Sequence, residues 1–93
     1  MALRFYQDAE TGEPHIHRHG VSKEEVADVL ERPLEDRTGT EGSRVALGRT
    51  RGGRYLRVVY VPDPKPDSAF VITGYDLGPK AKRALLGRRR KKQ

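Results

Sequence analysis

The 93-residue chain contains no cysteine and no tryptophan, and only 6% of its residues are aromatic. The lack of cysteine excludes disulfides, thiolate metal sites and a thiol nucleophile. No apolar run approaches the ~20 residues that span a bilayer, and we see no secretory leader, so we expect a single-domain cytoplasmic protein. The sequence also lacks a Walker loop, GxGxxG, HExxH and a nucleophile elbow, which leaves nucleotide-fuelled and zinc-hydrolase chemistry without support.

Acidic residues are missing from two stretches of the chain. Residues 44–57 carry five arginines and no acid, and residues 77–93 carry eight cations and no acid. The remaining segments are acidic, so the net charge of +6 is concentrated in these two places. Such a distribution is expected of two surfaces that face a polyanion. The alternative for the second stretch is a tail that only increases solubility.

The strongest local signal is a helix that follows the three histidines. Ser22 and Glu25 have the spacing of a capping box, in which each side chain bonds the other residue's backbone N–H. An apolar stripe at helical spacing follows, formed by Val26, Val29 and Leu30. Pro33 disfavours helical geometry at the preceding residue and ends the helix there.

Four segments have strand patterns: Leu3–Tyr6, Arg44–Thr50, Arg54–Val61 and Ala69–Tyr75. The second and third flank Gly-Gly, which predicts a hairpin with a two-residue turn. The acid- and Thr-rich segment Leu34–Ser43 is predicted to be a mobile connection. A second helix is expected to begin at Gly78-Pro79.

The predicted fold class is α+β, with an antiparallel sheet of three to four strands. One main helix covers one sheet face, and a short C-terminal helix follows. The domain is predicted to span residues 1–87, and residues 88–93 to form a disordered basic tail. With a two-residue turn, the face under the helix carries Val45, Leu47, Leu56, Val58 and Tyr60. The opposite face then lies open and presents Tyr55, Arg57, Thr73 and Tyr75.

His15, His17 and His19 alternate along the chain, and three interpretations remain open. In an extended segment their side chains share one side, as a metal site requires, although no fourth ligand is evident. They can instead be exposed or capping residues. The third interpretation is proton transfer on a phosphodiester, because imidazole titrates near neutral pH.

The hairpin arginines and the tyrosines also allow two interpretations each. Arg51 and Arg54, beside the Gly-Gly turn, can clamp phosphates through bidentate hydrogen bonds or merely keep the hairpin soluble. Tyrosines can stack on bases. Tyr60 is assigned to the core by the predicted register, whereas Tyr75 stands at a strand end.

The order of these pieces resembles the BrnT-like branch of the RelE-superfamily toxins. That family has Lys-His-Gly-Val-Ser before an acidic helix and Gly-Arg-x-Leu-x-Val-Val-Tyr in a strand. The first motif matches Arg18–Ser22, with Arg for Lys, and the second matches Gly53–Tyr60. The chain departs from the family in lacking a Lys before His15 and in carrying Tyr75 where the family's last strand ends in Arg.

The resemblance implies a small ribonuclease that cuts RNA without metal or other cofactor and is paired with a small antitoxin-like protein. We expect His17 and His19 to carry protons, Arg57 and Arg54 to stabilise phosphate charge, and Tyr75 to stack on a base or donate a proton. The predicted nucleic-acid contacts are Arg18, Arg49, Arg51, Arg54, Lys80, Lys82, Arg83, Arg88, Arg89, Arg90, Lys91 and Lys92.

Two other functions remain open at this point. The missing Lys and Arg favour a nucleic-acid-binding module that has kept the fold and lost cleavage. Alternatively, the open sheet face is completed by a partner chain, as an antitoxin would do.

Overall fold

A five-stranded mixed sheet with two α-helices forms the protein, so the predicted α+β class is confirmed. The computed structural model describes residues 1–91. The strands are β1 (Ala2–Phe5), β2 (Glu35–Thr38), β3 (Arg44–Arg49), β4 (Tyr55–Pro62) and β5 (Ser68–Asp76). The helices are α1 (Lys23–Glu31) and α2 (Pro79–Lys91), and a 3₁₀ helix covers His15–His19. The strand order is β1-β5-β4-β3-β2. The predicted antiparallel pairing is wrong for one pair, because β1 is parallel to β5, whereas the other neighbours are antiparallel.

Helix α1 begins as its sequence predicts. The Ser22 hydroxyl accepts a hydrogen bond from the Glu25 backbone N–H at 3.1 Å, and the Glu25 carboxylate accepts one from the Ser22 N–H at 3.0 Å. The apolar stripe of α1 is buried against the sheet. Gly48 allows this close packing, since a Cβ built there would lie 3.0 Å from the nearest Val29 methyl carbon.

Replacing Ser22 by alanine is expected to lower the free energy of unfolding by about 1 kcal/mol, because the N-cap acceptor is lost. The Ser22→Asp variant keeps an acceptor and should stay close to the wild type. Urea denaturation of the three proteins measures the difference. Equal midpoints for Ser22→Ala and the wild type would contradict this role.

The β3–β4 hairpin has a three-residue tip, and the predicted two-residue turn is wrong. The Gly53 N–H bonds the Thr50 carbonyl at 3.0 Å, and the Thr50 N–H bonds the Arg54 carbonyl at 2.8 Å. Gly53 takes the left-handed φ of +93° that this type of loop places before its second strand. One added residue in the loop therefore shifts the pairing, so that Leu47 faces Arg57.

The shifted register exchanges the two faces of β3. Ala46, together with Leu56 and Val58, is buried under α1, whereas Val45 and Leu47 lie on the opposite face. The predicted faces are therefore correct for β4 and reversed for β3.

The second sheet face is partly covered, contrary to the prediction of an open face. Leu85 of α2 is fully buried there, against Leu47 and Leu77. The hydroxyl of Thr73, which was expected on the open face, is buried and has no hydrogen-bond partner within residues 1–91.

Strand β2 lies in the segment that was predicted to be a mobile connection. Its sequence, EDRT, has no apolar alternation, so no strand pattern marks it. It is ordered by its neighbours: Asp36 accepts hydrogen bonds from the Tyr60 hydroxyl at 2.6 Å and from Arg44 at 3.0 Å. With β2 included, the sheet has five strands rather than three to four.

Helix α2 extends into the segment that was expected to be a disordered tail. Two arginines attach its last turns to the start of β2. Arg88 binds the Glu35 carboxylate at 2.6 and 2.9 Å, and Arg89 donates to the Leu34 carbonyl at 3.0 Å. The predicted contact Lys92 lies outside the described residues. Neither α-helix within residues 1–91 has the length and apolar character that crossing a membrane requires.

Candidate functional site

The outer edge of β5 brings the histidines next to a strand. Strand β1 ends at Phe5, level with Val71, and the 3₁₀ helix lies along β5. The His15 and His19 rings lie 5.5 Å apart between centroids, and the His19 and Tyr75 rings lie 5.6 Å apart. His19 and Tyr75, 56 positions apart in the chain, are therefore neighbours in the fold.

Arg57 completes this group. It stands directly opposite Tyr75 in the β4–β5 pair, and facing residues of antiparallel strands project to the same side of the sheet. Within residues 1–91 its guanidinium takes part in none of the observed hydrogen bonds or ion pairs. We call His19, Tyr75 and Arg57 the edge site. It contains three of the four residues that were predicted to be catalytic.

His17, the fourth predicted catalytic residue, lies apart from the edge site. Its Nδ1 is 3.2 Å from a Glu13 carboxylate oxygen, and the side chain is exposed. The 3₁₀ conformation explains the separation, since it brings His15 rather than His17 next to His19. Within residues 1–91 no three histidine or carboxylate side chains are grouped as metal ligands would be.

Arg54 supports the edge site from within the fold. Its guanidinium binds both Asp76 oxygens, at 2.6 and 2.9 Å, and one Glu25 oxygen at 3.0 Å. It also donates to the Gly20 carbonyl at 2.8 Å and the His19 carbonyl at 3.2 Å. These five bonds use all five N–H groups of an arginine. Arg54 therefore has no donor left for the phosphate that the sequence assigned to it.

The Arg54–Asp76 contact also affects protonation. The hydrogen bond from Arg54 lowers the pKa of Asp76, while the carboxylate partner raises the pKa of Arg54. Both groups therefore stay charged. Arg54 in this way connects Asp76, at the end of β5, to the backbone carbonyl of Gly20, the residue after His19.

Arg18, another predicted nucleic-acid contact, is also paired. It binds Asp8, and it binds Glu10 at 3.1 Å. A hydrogen bond from the Glu10 backbone N–H and the contact with Arg18 lower the pKa of Asp8. Arg18 therefore links the 3₁₀ helix to the loop that precedes it, and its role is mainly structural.

A second site lies at the hairpin end of the sheet. A cleft of about 590 Å³ opens between the end of α1, the β3–β4 hairpin and α2. Four arginines line it, and we call it the arginine cleft: Arg32, Arg49, Arg51 and Arg89. Three of them were predicted as nucleic-acid contacts. Arg32 was missed, because the sequence marks it only as the end of a helix.

The remaining predicted contacts lie on α2. Their side chains are largely exposed: Lys80, Lys82, Arg83, Arg88, Arg90 and Lys91. The Lys82 ammonium lies 4.7 Å from the centre of the Tyr55 ring. Arg88 is committed to Glu35, so α2 presents an incompletely neutralised basic surface.

Comparison with known proteins adds no family assignment: no protein-family model and no curated protein sequence matches the chain.

Proposed function

We propose that the protein is a toxin-like RNA-binding domain, similar to the RelE/BrnT type, that cleaves RNA without a metal ion. The observation that carries this proposal is that the His19 ring lies 5.6 Å from the Tyr75 ring, while Arg57 stands opposite Tyr75 on the neighbouring strand β4. An imidazole and a phenol can transfer the protons of such a cleavage, and a guanidinium that has no acidic partner within residues 1–91 can stabilise its phosphate charge.

In the proposed reaction the ribose 2′-hydroxyl attacks the adjacent phosphorus and the 5′-oxygen leaves. His19 accepts the proton of the 2′-hydroxyl, and Tyr75 donates a proton to the leaving oxygen. Arg57 stabilises the negative charge that builds on the phosphate oxygens. The products are a 2′,3′-cyclic phosphate and a 5′-hydroxyl.

A second candidate is a module that binds RNA without cutting it. Arg54 and Arg18 are both engaged in internal ion pairs, so neither adds charge to the edge site. The basic surface of α2 and the arginine cleft would then bind the phosphate backbone. A small antitoxin-like partner stays a prediction in both cases.

Incubation of the purified protein with single-stranded RNA and EDTA tests the first candidate. We expect cleavage to continue in the chelator and to yield 2′,3′-cyclic phosphate ends. The matched control is the same RNA with 2′-O-methyl groups, which has no attacking hydroxyl. Tight binding with intact RNA would favour the second candidate, and no binding at moderate salt would contradict both.

A further inference from the structure

The arginine cleft contains more positive than negative charge. Four guanidinium groups and two carboxylates, those of Asp28 and Glu31, line it. Asp28 is already engaged, because it accepts a hydrogen bond from the Arg51 backbone N–H at 3.0 Å and lies 3.4 Å from the Arg51 side chain. An anion that enters the cleft therefore meets an Asp28 carboxylate that is already paired with Arg51.

Several arginine donors in the cleft remain available. Arg89 uses one N–H group on the Leu34 carbonyl, and the Arg32 and Arg49 side chains form none of the hydrogen bonds or ion pairs found within residues 1–91. A guanidinium presents a rigid fork that matches two oxygens of one phosphate. Two or three such forks around one opening favour a phosphate group over a carboxylate.

The other walls of the cleft suit the rest of a nucleotide. Leu34, Tyr55 and Leu86 add apolar surface beside the arginines. A mixture of guanidinium and apolar surface fits a phosphate that carries a sugar and a base, more closely than it fits a bare inorganic ion.

The cleft and the edge site lie at the same end of the sheet. Arg49 faces Tyr55, and two residues further along the strands Leu47 pairs with Arg57 and Arg57 with Tyr75. Strand spacing and residue rise place the Cα atoms of Arg49 and Tyr75 on the order of 12 Å apart. One short RNA strand can thus contact both places.

We propose that the arginine cleft binds a phosphodiester of the RNA strand, separate from the bond that is cut. This inference rests on RNA being the ligand in the proposed function, and it is independent of cleavage. The cleft fixes the position of the strand, while the edge site acts on a different phosphate.

The test uses the full chain and a 2′-O-methyl RNA of about 12 nucleotides, which the protein cannot cleave by the proposed route. We expect the Arg32→Ala/Arg49→Ala double variant to bind it about 10-fold more weakly in a fluorescence anisotropy titration. The slope of log affinity against log salt should fall by about 0.7 for each lost phosphate contact. The matched control is Arg37→Ala, which removes an exposed arginine from β2, outside the cleft.

The outcomes separate this inference from the proposed function. If the wild type binds the RNA and the double variant loses no more affinity than Arg37→Ala, the cleft proposal is wrong and RNA binding stands. If a 5′-mononucleotide binds the cleft and the double variant loses only that binding, the ligand is a free nucleotide and the proposal is also overturned. If the wild type does not bind RNA, both fail. Thermal melts of each variant exclude loss of folding as the cause.

Discussion

Replacing His19 by alanine is expected to lower the rate of RNA cleavage by about 10²- to 10³-fold. In the proposed reaction the imidazole accepts the proton of the 2′-hydroxyl, and a positioned proton carrier typically contributes this much. Affinity for uncleavable RNA should change little, since the proposal assigns most of the phosphate contacts to the arginine cleft and α2. The measurement is the single-turnover rate with protein in excess, in EDTA.

His17→Ala is the matched control for this prediction. It removes an imidazole two positions away in the same 3₁₀ helix, one that contacts Glu13 rather than Tyr75. Its cleavage rate should stay within about twofold of the wild type. Equal losses in the two variants would show that the histidines act through the structure of the segment and would remove His19 from the proposed mechanism.

Replacing Arg54 by alanine is expected to lower the free energy of unfolding by about 2 kcal/mol. The substitution breaks five hydrogen bonds: Asp76 and two backbone carbonyls lose the Arg54 donors, and Glu25 keeps its hydrogen bond from the Ser22 N–H. Its ion pairs are partly exposed, so solvent recovers part of the loss. Urea denaturation measures the change.

Arg51→Ala is the control from the same hairpin. Its side chain is 88% exposed and within residues 1–91 pairs with a single carboxylate, that of Asp28, so a loss below about 0.5 kcal/mol is expected. If the Arg54→Ala and Arg51→Ala variants unfold at the same urea concentration, the Arg54 network does not stabilise the fold.

The stabilisation of the fold by Arg54 should decrease at acidic pH. The Asp76 pKa is lowered below its ordinary value of 3.8 in the folded state. The stabilisation is therefore present above that value and disappears as the pH falls through the lower folded pKa. The gap in unfolding free energy between the wild type and Arg54→Ala should therefore stay constant from about pH 7 to about pH 5 and narrow as the pH falls below about 4. A gap that widens on acidification would contradict this assignment.

The sequence predicted those features that depend on neighbouring residues. The capping box of α1 and its apolar stripe follow from spacings of three and four positions, and both are present. The second helix begins at Pro79, the proline of the Gly78-Pro79 signal. For the edge site, the sequence predicted His19, Arg57 and Tyr75 as individual site residues. It did not show that Tyr75 lies next to His19 and opposite Arg57.

Two features of the fold needed the tertiary structure. The register of β3 on β4 changed with one residue in the hairpin loop, because the alternation of faces along a strand has a period of two. Strand β2, with the sequence EDRT, is ordered by contacts distant in sequence. It pairs with β3, and its Asp36 accepts a hydrogen bond from the Tyr60 hydroxyl.

The role of Arg54 also could not be predicted from the sequence. Next to Gly53 in the sequence it has the appearance of a free phosphate ligand, whereas the fold surrounds it with acceptors from residues 19–25 and from Asp76. The sequence by itself determined the residue types, the local helix signals and the segregation of charge. Only the tertiary structure decided which cations are neutralised and which remain available, because ion pairing depends on distances between residues far apart in the chain.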